Sequence, residues 1–342
     1  MLRRRSWTLL LAASTLFFAA GNASAQGVAD FYRGKTVRLI VGYSAGGGHD
    51  LNARLLSRYI GKYIPGQPRV VVENMPGASS LKSVQYLDSG APTDGTVFTA
   101  FSSGLVTESL TKPDQFPVNL NNYAWLGSLS QEIRVCYVRA SAGINSLKDA
   151  MQGQGIIFGE TGRGSASYID SGILREILGV KLKTILGYPG SAEKKIAVER
   201  GELDGDCVSF SSIPKEWISG GKIKVLSRGS TATLPGMPAD APYVMDLTDD
   251  PAKKKLIKFL LSPSVVGRPY IASRAVPADR VAALQEAFVA ALKDPQMQAE
   301  AENLQLPLVG SMNGSEAAAY IAEMYKIEPA LVAQARKITG EE

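Results

Sequence analysis

The chain holds one histidine and two cysteines among 342 residues. His49 has no Cys or His companion near it in the sequence, so it makes a poor metal ligand and no metal site is assigned. After the first residues, no apolar run approaches the ~20 residues a membrane-spanning helix requires. Dense basic blocks are missing as well. Lys253-Lys254-Lys255 stands by itself and reads as a solvated helix face. The formal net charge is only +5, so nucleic-acid binding has no basis. No Walker lysine follows the chain's glycine-rich loop, which removes the P-loop reading.

What is present begins with a leader. Arg3-Arg4-Arg5 precedes an apolar run from Trp7 to Ala20, and Ala23-Ser24-Ala25 supplies a small-x-small cleavage site. This is the pattern of a secretory signal peptide over residues 1–25, with Gln26 as the new N-terminus. The run is too short for an uncleaved anchor. Losing Arg3, Arg4 and Arg5 takes the net charge from +5 to +2. An exported protein meets little NAD or ATP, so no cofactor is expected. The remaining length suits two domains, and 45% hydrophobic with 20% charged residues is a globular composition.

The most informative stretch is Leu39 to Asp50. The apolar strand Val37–Val41 enters the loop Tyr43–His49, which contains Gly46-Gly47-Gly48, and a helix follows over Asp50–Tyr63. Glycine permits positive φ and close approach of a ligand. The helix start offers unpaired N–H groups and a partial positive charge. Together they make a seat for an anion. Asp50 is best placed to cap and complement the first helical turn.

The strand-loop-helix unit recurs. Val70–Glu73 and Thr96–Phe101 lead into the loops Asn74–Ser79 and Ser102–Gly104. A second series runs through Ile156–Gly159, Lys183–Gly187, Cys207–Phe210 and Ile223–Ser227. Such alternation predicts parallel sheets covered by helices. Two extended apolar stretches, Trp125–Ala140 and Val265–Ala272, read as crossovers between two α/β lobes. The expected arrangement is lobe one over 26–127 and 265–342, and lobe two over 128–264. Amphipathic helices are expected over Asp279–Leu292 and Ser315–Lys337.

Ligands of open α/β sheets bind beyond the carboxyl ends of the strands. That rule directs the glycine- and serine-bearing loops into an interlobe cleft. The candidate ligand-binding residues are Tyr43, Ser44, Ala45, Gly46, Gly47 and His49 in the first loop. Asn74, Pro76, Gly77, Ala78 and Ser79 follow in the second, then Ser102 and Ser103. Lobe two contributes Thr161, Gly162, Arg163, Gly164 and Ser165, with Tyr188, Ser209 and Ser211. Arg163 is the candidate partner of a ligand carboxylate. Closure of the lobes about the crossovers is the associated motion.

Two enzyme patterns fit poorly. Gly46-Gly47-Gly48 with Glu73 mimics a dinucleotide fingerprint, but Leu51 stands where the third glycine belongs. Gly42-Tyr43-Ser44-Ala45-Gly46 matches a nucleophile elbow, but three glycines separate Ser44 from its helix, and His49 lies on the same loop. No catalytic residue is assigned.

Several runs together resemble the extracytoplasmic solute-binding proteins of the tripartite tricarboxylate transporter, or Bug/TctC, family. They are Phe31-Tyr32-Arg33-Gly34-Lys35, Gly42–Asp50 with Ala53-Arg54, and Asn74-Met75-Pro76-Gly77-Ala78-Ser79. Ala91-Pro92-Thr93-Asp94-Gly95-Thr96, Gly190-Ser191, Gly201-Glu202-Leu203-Asp204 and Val276-Pro277-Ala278-Asp279-Arg280 continue the order. The resemblance implies a type II periplasmic-binding-protein fold, two Rossmann-like lobes in a Venus-flytrap. It also implies a periplasmic, non-catalytic monomer that captures a small organic carboxylate and hands it to membrane transporter subunits. A sensor or scavenger of the same fold is the alternative, and a relic enzyme a further one. The implied topology sets Cys136 beside Cys207, as a disulfide or as two buried thiols in contact.

Overall fold

The computed structural model describes residues 27–114 and 116–340, so the expected leader lies outside the described residues. Two sheets organise the chain. In the first, β1 (Thr36–Val41) pairs in parallel with β2 (Arg69–Asn74) and β3 (Val97–Ala100). β4 (Ala124–Ser128), β10 (Pro269–Ala272) and β11 (Met312–Asn313) extend it antiparallel, in the order β11-β4-β10-β3-β1-β2. The second sheet has the order β7-β6-β8-β5-β9. Its strands are β5 (Arg134–Arg139), β6 (Ile156–Glu160), β7 (Leu182–Leu186), β8 (Gly205–Ser209) and β9 (Ile223–Arg228). This is a two-lobed α/β architecture with helices on the sheets.

Strand β1 shows why the sequence pattern works. Val37, Leu39, Ile40 and Val41 are fully buried. A strand covered by helices on both faces needs a nearly continuous apolar run. The helix after it begins at Gly48, earlier than the expected Asp50.

The crossovers are more broken than their composition suggests. Trp125–Ala140 is two strands, β4 and β5, separated by residues 129–133. Val265–Ala272 opens as a 3-10 turn, Ser262–Val266, before β10. The two connections run side by side. Leu129 N donates to Arg268 O at 3.0 Å, Arg268 N to Ser130 O at 3.0 Å, and Glu132 N to Ser264 O at 2.8 Å. Gly267 lets them approach, since a Cβ there would lie 2.4 Å from Glu132 N. The hinge is thus a paired ribbon with all these amides satisfied.

The C-terminal segment is also divided. Helix Gly314–Met324 ends before a separate helix, Pro329–Ile338, with Pro329 in its first turn. This last helix touches helix Gly104–Thr111 of the first lobe and Ile173–Ile177 of the second. One apolar cluster consequently runs from Ile40 and Phe101 through Ile338 to Phe158 and Ile177. Among the described residues no helix is long and apolar enough to cross a membrane.

Cys136 and Cys207 stand opposite one another on β5 and β8 and are joined in a disulfide. The alternative of two free thiols therefore falls.

Candidate functional site

The loop after β1 is held from behind. Asp50 Oδ2 accepts from Gly46 N at 2.8 Å and from Arg54 Nε at 2.8 Å, while Oδ1 accepts from Asn74 Nδ2 at 2.9 Å. Burial opposes the charge of Asp50, but these donors hold its carboxyl below the usual range. Asp50 braces the loop; it does not cap the helix. The N-cap is Gly47, which has no side chain to cap the helix, and the Gly48 amide is met across the cleft by Ser191 Oγ at 3.3 Å. The amides at Gly48 and His49 therefore face the cleft with their partial positive charge.

The second lobe and the hinge close over that helix start. A Cβ on Gly47 would lie 2.8 Å from Ser191 Oγ. One on Gly48 would lie 2.4 Å from Ser212 Oγ and 3.0 Å from Arg268 Nη2. A side chain at either position would have to displace these hydroxyls and the guanidinium. Ser44 Oγ donates to Glu193 Oε2 at 2.7 Å, Ser44 N to Pro189 O at 3.2 Å, and Gly48 N to Ser191 Oγ at 3.3 Å. On the other side, Ala166 N donates to Ser102 Oγ at 3.4 Å, and Ser79 and Thr161 hydroxyls meet at 3.5 Å. The lobes meet around a cavity of about 60 Å³ that stays partly open to solvent. A single water needs roughly 10–15 Å³ on that scale, so the space suits a small molecule.

The cavity floor is charged. Glu132 accepts from Arg134 Nη1 at 3.0 Å and Arg268 Nη1 at 2.9 Å, and Arg134 also pairs with Asp170. All four are buried. Burial raises Glu132, but Arg268 and Arg134 outweigh it and hold the carboxyl below its ordinary value. Asp170 is pushed up to about 6 by burial, with Arg134 opposing. His49 stacks on Tyr43 with ring centroids 4.8 Å apart. Burial and the Arg268 charge push its imidazole down to about 3, so it sits neutral.

The second-lobe wall carries Ser165, Ser167 and Lys194. Ser165 caps helix Ala166–Gly172 by accepting from Tyr168 N at 3.1 Å. Lys194 donates to Asp206 Oδ1 at 2.5 Å and lies 3.4 Å from Ser167 Oγ. Behind Ser167, Glu160 accepts from Ser167 and Ser171.

Of the expected ligand residues, Tyr43, Gly47, His49, Ser102, Thr161, Ser165 and Ser209 line the cavity. Others support it. Ser44 and Ser79 bridge the lobes, Asn74 braces the loop from outside, and Ser211 lies 3.2 Å from Ser209 Oγ. Gly162 and Gly164 pack against Ser79 and Glu108, and Tyr188 packs over Gly159. Ser103 is buried outside the cavity lining, its hydroxyl unpartnered among the described residues. Ala45, Gly46, Gly77 and Ala78 are exposed, and Pro76 is half-buried beside them. Arg163 requires correction as the ligand's partner: it is exposed and donates to Gly340 O at 2.8 Å, drawn off by the end of the last helix. The sequence reading missed Glu132, Arg134, Arg268, Ser167, Ser191 and Lys194. For Glu132, Arg134 and Arg268 the available signal was charge inside otherwise apolar crossovers.

Residues 53–336 match the model of the tripartite tricarboxylate transporter family receptor, TctC. The chain belongs to this family. A UPF0065 protein in the gbd 5' region of Cupriavidus necator is 26% identical, over 94% of each chain. MatC of Rhodopseudomonas palustris, solved with bound malate, matches with TM-score 0.69 at 18% identity, covering 89% of this chain and 99% of that one. A second R. palustris protein, solved with adipate, matches with TM-score 0.69 at 17% identity, covering 90% and 97%. These two share the receptor's fold. The TctC-family receptor described here thus places a helix start without an N-cap side chain, two arginines and a lysine around one interlobe cavity.

Proposed function

We propose that this receptor captures a small carboxylate-bearing anion between its lobes and delivers it, unaltered, to a tripartite-type membrane transporter. The observation that carries this reading is the start of helix Gly48–Tyr63, which has no N-cap side chain of its own and lies buried in the cleft beside Arg268. A helix start facing the cleft and an adjacent guanidinium favour an oxyanion, and a carboxylate fits both. Malate and adipate in the two similar structures support a dicarboxylate. The leader pattern supports a periplasmic site of action. A binding role without catalysis is supported by Ser44: its hydroxyl is taken by Glu193, not by His49.

A thermal-shift screen of mono-, di- and tricarboxylates, followed by native mass spectrometry, tests this. A small dicarboxylate should raise the midpoint and be recovered at its original mass. Failure of every carboxylate to shift the midpoint, or turnover of the bound compound, would overturn the reading. Loss of uptake on gene deletion checks delivery.

A further inference from the structure

The cavity and the wall behind it hold three buried cations, Arg134, Arg268 and Lys194, against four buried acids, Glu132, Glu160, Asp170 and Asp206. Three of the acids have a cation in contact. Glu132 has two arginines, Asp170 has Arg134, and Asp206 has Lys194. Glu160 alone is held only by hydroxyls, those of Ser167, Ser171 and, at 3.5 Å, Ser165. A buried carboxylate without a cation is the costliest charge in the set.

The groups facing Glu160 and Asp206 come from every neighbouring element. Lys194 is on helix Ser191–Glu199, Asp170 on helix Ala166–Gly172, and Arg134 and Tyr137 on β5; Tyr188 approaches from the loop after β7. Burial raises the Glu160 carboxyl and the Asp206 charge raises it further; Lys194 and the Ser167 and Ser171 hydroxyls oppose this without overcoming it. Asp206 Oδ2 is itself buried with no partner among the described residues.

Resting on the carboxylate reading of the cleft, we propose that Glu160 keeps a proton in the free receptor, and that this proton makes Ser167 and Lys194 a second anion seat. The chemistry lies in one hydroxyl. Ser167 Oγ has a single proton. If Glu160 is ionised, it claims that proton, and Ser167 turns lone pairs towards the cavity. If Glu160 is protonated, it donates to Ser167 Oγ, and the Ser167 proton is free to point at the ligand. Lys194 has three N–H bonds; Asp206 takes one and Ser167 accepts another, which leaves one for the cavity. A dicarboxylate then spans from the helix start at Gly48 to the wall at Ser167 and Lys194. Glu160 acts as a positioning residue, and ionising it costs the Ser167 donor of the second seat.

Two measurements decide this. First, infrared difference spectra of the free receptor at pH 6.5 should show a protonated buried carboxyl in the wild type that is missing in Glu160→Gln. Second, malate affinity is measured by calorimetry between pH 6.5 and 9, where malate itself stays a dianion. Wild-type affinity should fall with rising pH, by up to about tenfold per unit once Glu160 ionises, as one linked proton requires. The amide of Glu160→Gln donates to Ser167 at every pH, so that variant should bind malate well with a flat profile. No carboxyl signal lost in Glu160→Gln, a flat wild-type profile, or the same decline in the variant would overturn the proposal. Malate left unbound by both proteins at every pH would instead count against the dicarboxylate reading, and the infrared signal alone would then decide the state of Glu160.

Discussion

Gly104→Ala should weaken ligand binding without harming either lobe. Gly104 opens helix Gly104–Thr111 in the first lobe. A Cβ there would sit 2.5 Å from Ala166 N, 2.7 Å from Gly164 O and 2.7 Å from the Ser165 carbonyl carbon. All three are backbone atoms of the second lobe, so no side chain can swing aside. The nearest contact falls roughly 1 Å short of ordinary van der Waals separation. The clash exists only while the lobes are shut. Within its own helix, alanine is favoured over glycine by about 0.5–1 kcal/mol. Overpacking of this kind costs about 1–3 kcal/mol, charged here to the closed state alone. Affinity should therefore drop by roughly 5- to 150-fold, with the thermal midpoint of the free receptor unchanged or raised. Calorimetric titration with a bound dicarboxylate, paired with small-angle scattering, reads both sides. The variant should keep a larger radius of gyration in the presence of ligand than the wild type does. Affinity within twofold of wild type would show that ligand capture does not need this contact, and the closed arrangement would lose its functional meaning.

Arg163→Ala should leave affinity for mono- and dicarboxylates within about twofold, as for other surface changes, because Arg163 points to Gly340 O; a selective loss for dicarboxylates would return it to the site. The Cys136–Cys207 bridge spans a sequence separation of 71 residues, so its loss should lower unfolding free energy by about 4 kcal/mol; thiol counting of the denatured, unreduced protein should find none free, and denaturant unfolding with and without reductant measures the difference. His49, pushed down to about 3 from an ordinary 6.5, favours the neutral form when folded. Its contribution to stability is fully present above pH 6.5 and is lost as pH falls towards 3. His49→Gln should flatten the decline in thermal midpoint between pH 6.5 and 4, and an unchanged decline would show that other groups set it.

The lobes were legible because parallel strands buried on both faces leave apolar runs that composition alone reveals. Val37–Val41 and Thr96–Phe101 are of this kind, and each ends in a Gly- or Ser-bearing loop at the cleft. The loop Tyr43–His49 was legible as an anion seat for the same local reason: strand, glycines and helix start are contiguous in sequence. Even Asp50 was half readable. Its place in the first turn follows from the sequence, but its bond to Asn74 depends on β2 lying beside β1.

What stayed hidden depends on distant partners. Glu132, Arg134 and Arg268 interrupt the crossovers, and locally each looks like a solvent-facing residue of a strand. Only the side-by-side course of the two connections brings Arg268 to Glu132, and only then can a buried carboxylate be held by two guanidiniums. Arg163 fails in the opposite direction. Its loop position resembles that of His49, yet the C-terminal helix ends beside it and offers Gly340 O as a partner. The charges that face the cavity are thus set by where the hinge ribbon and the last helix pass. The same two elements join the lobes, so the residues that shape the floor of the site lie on the connections between them.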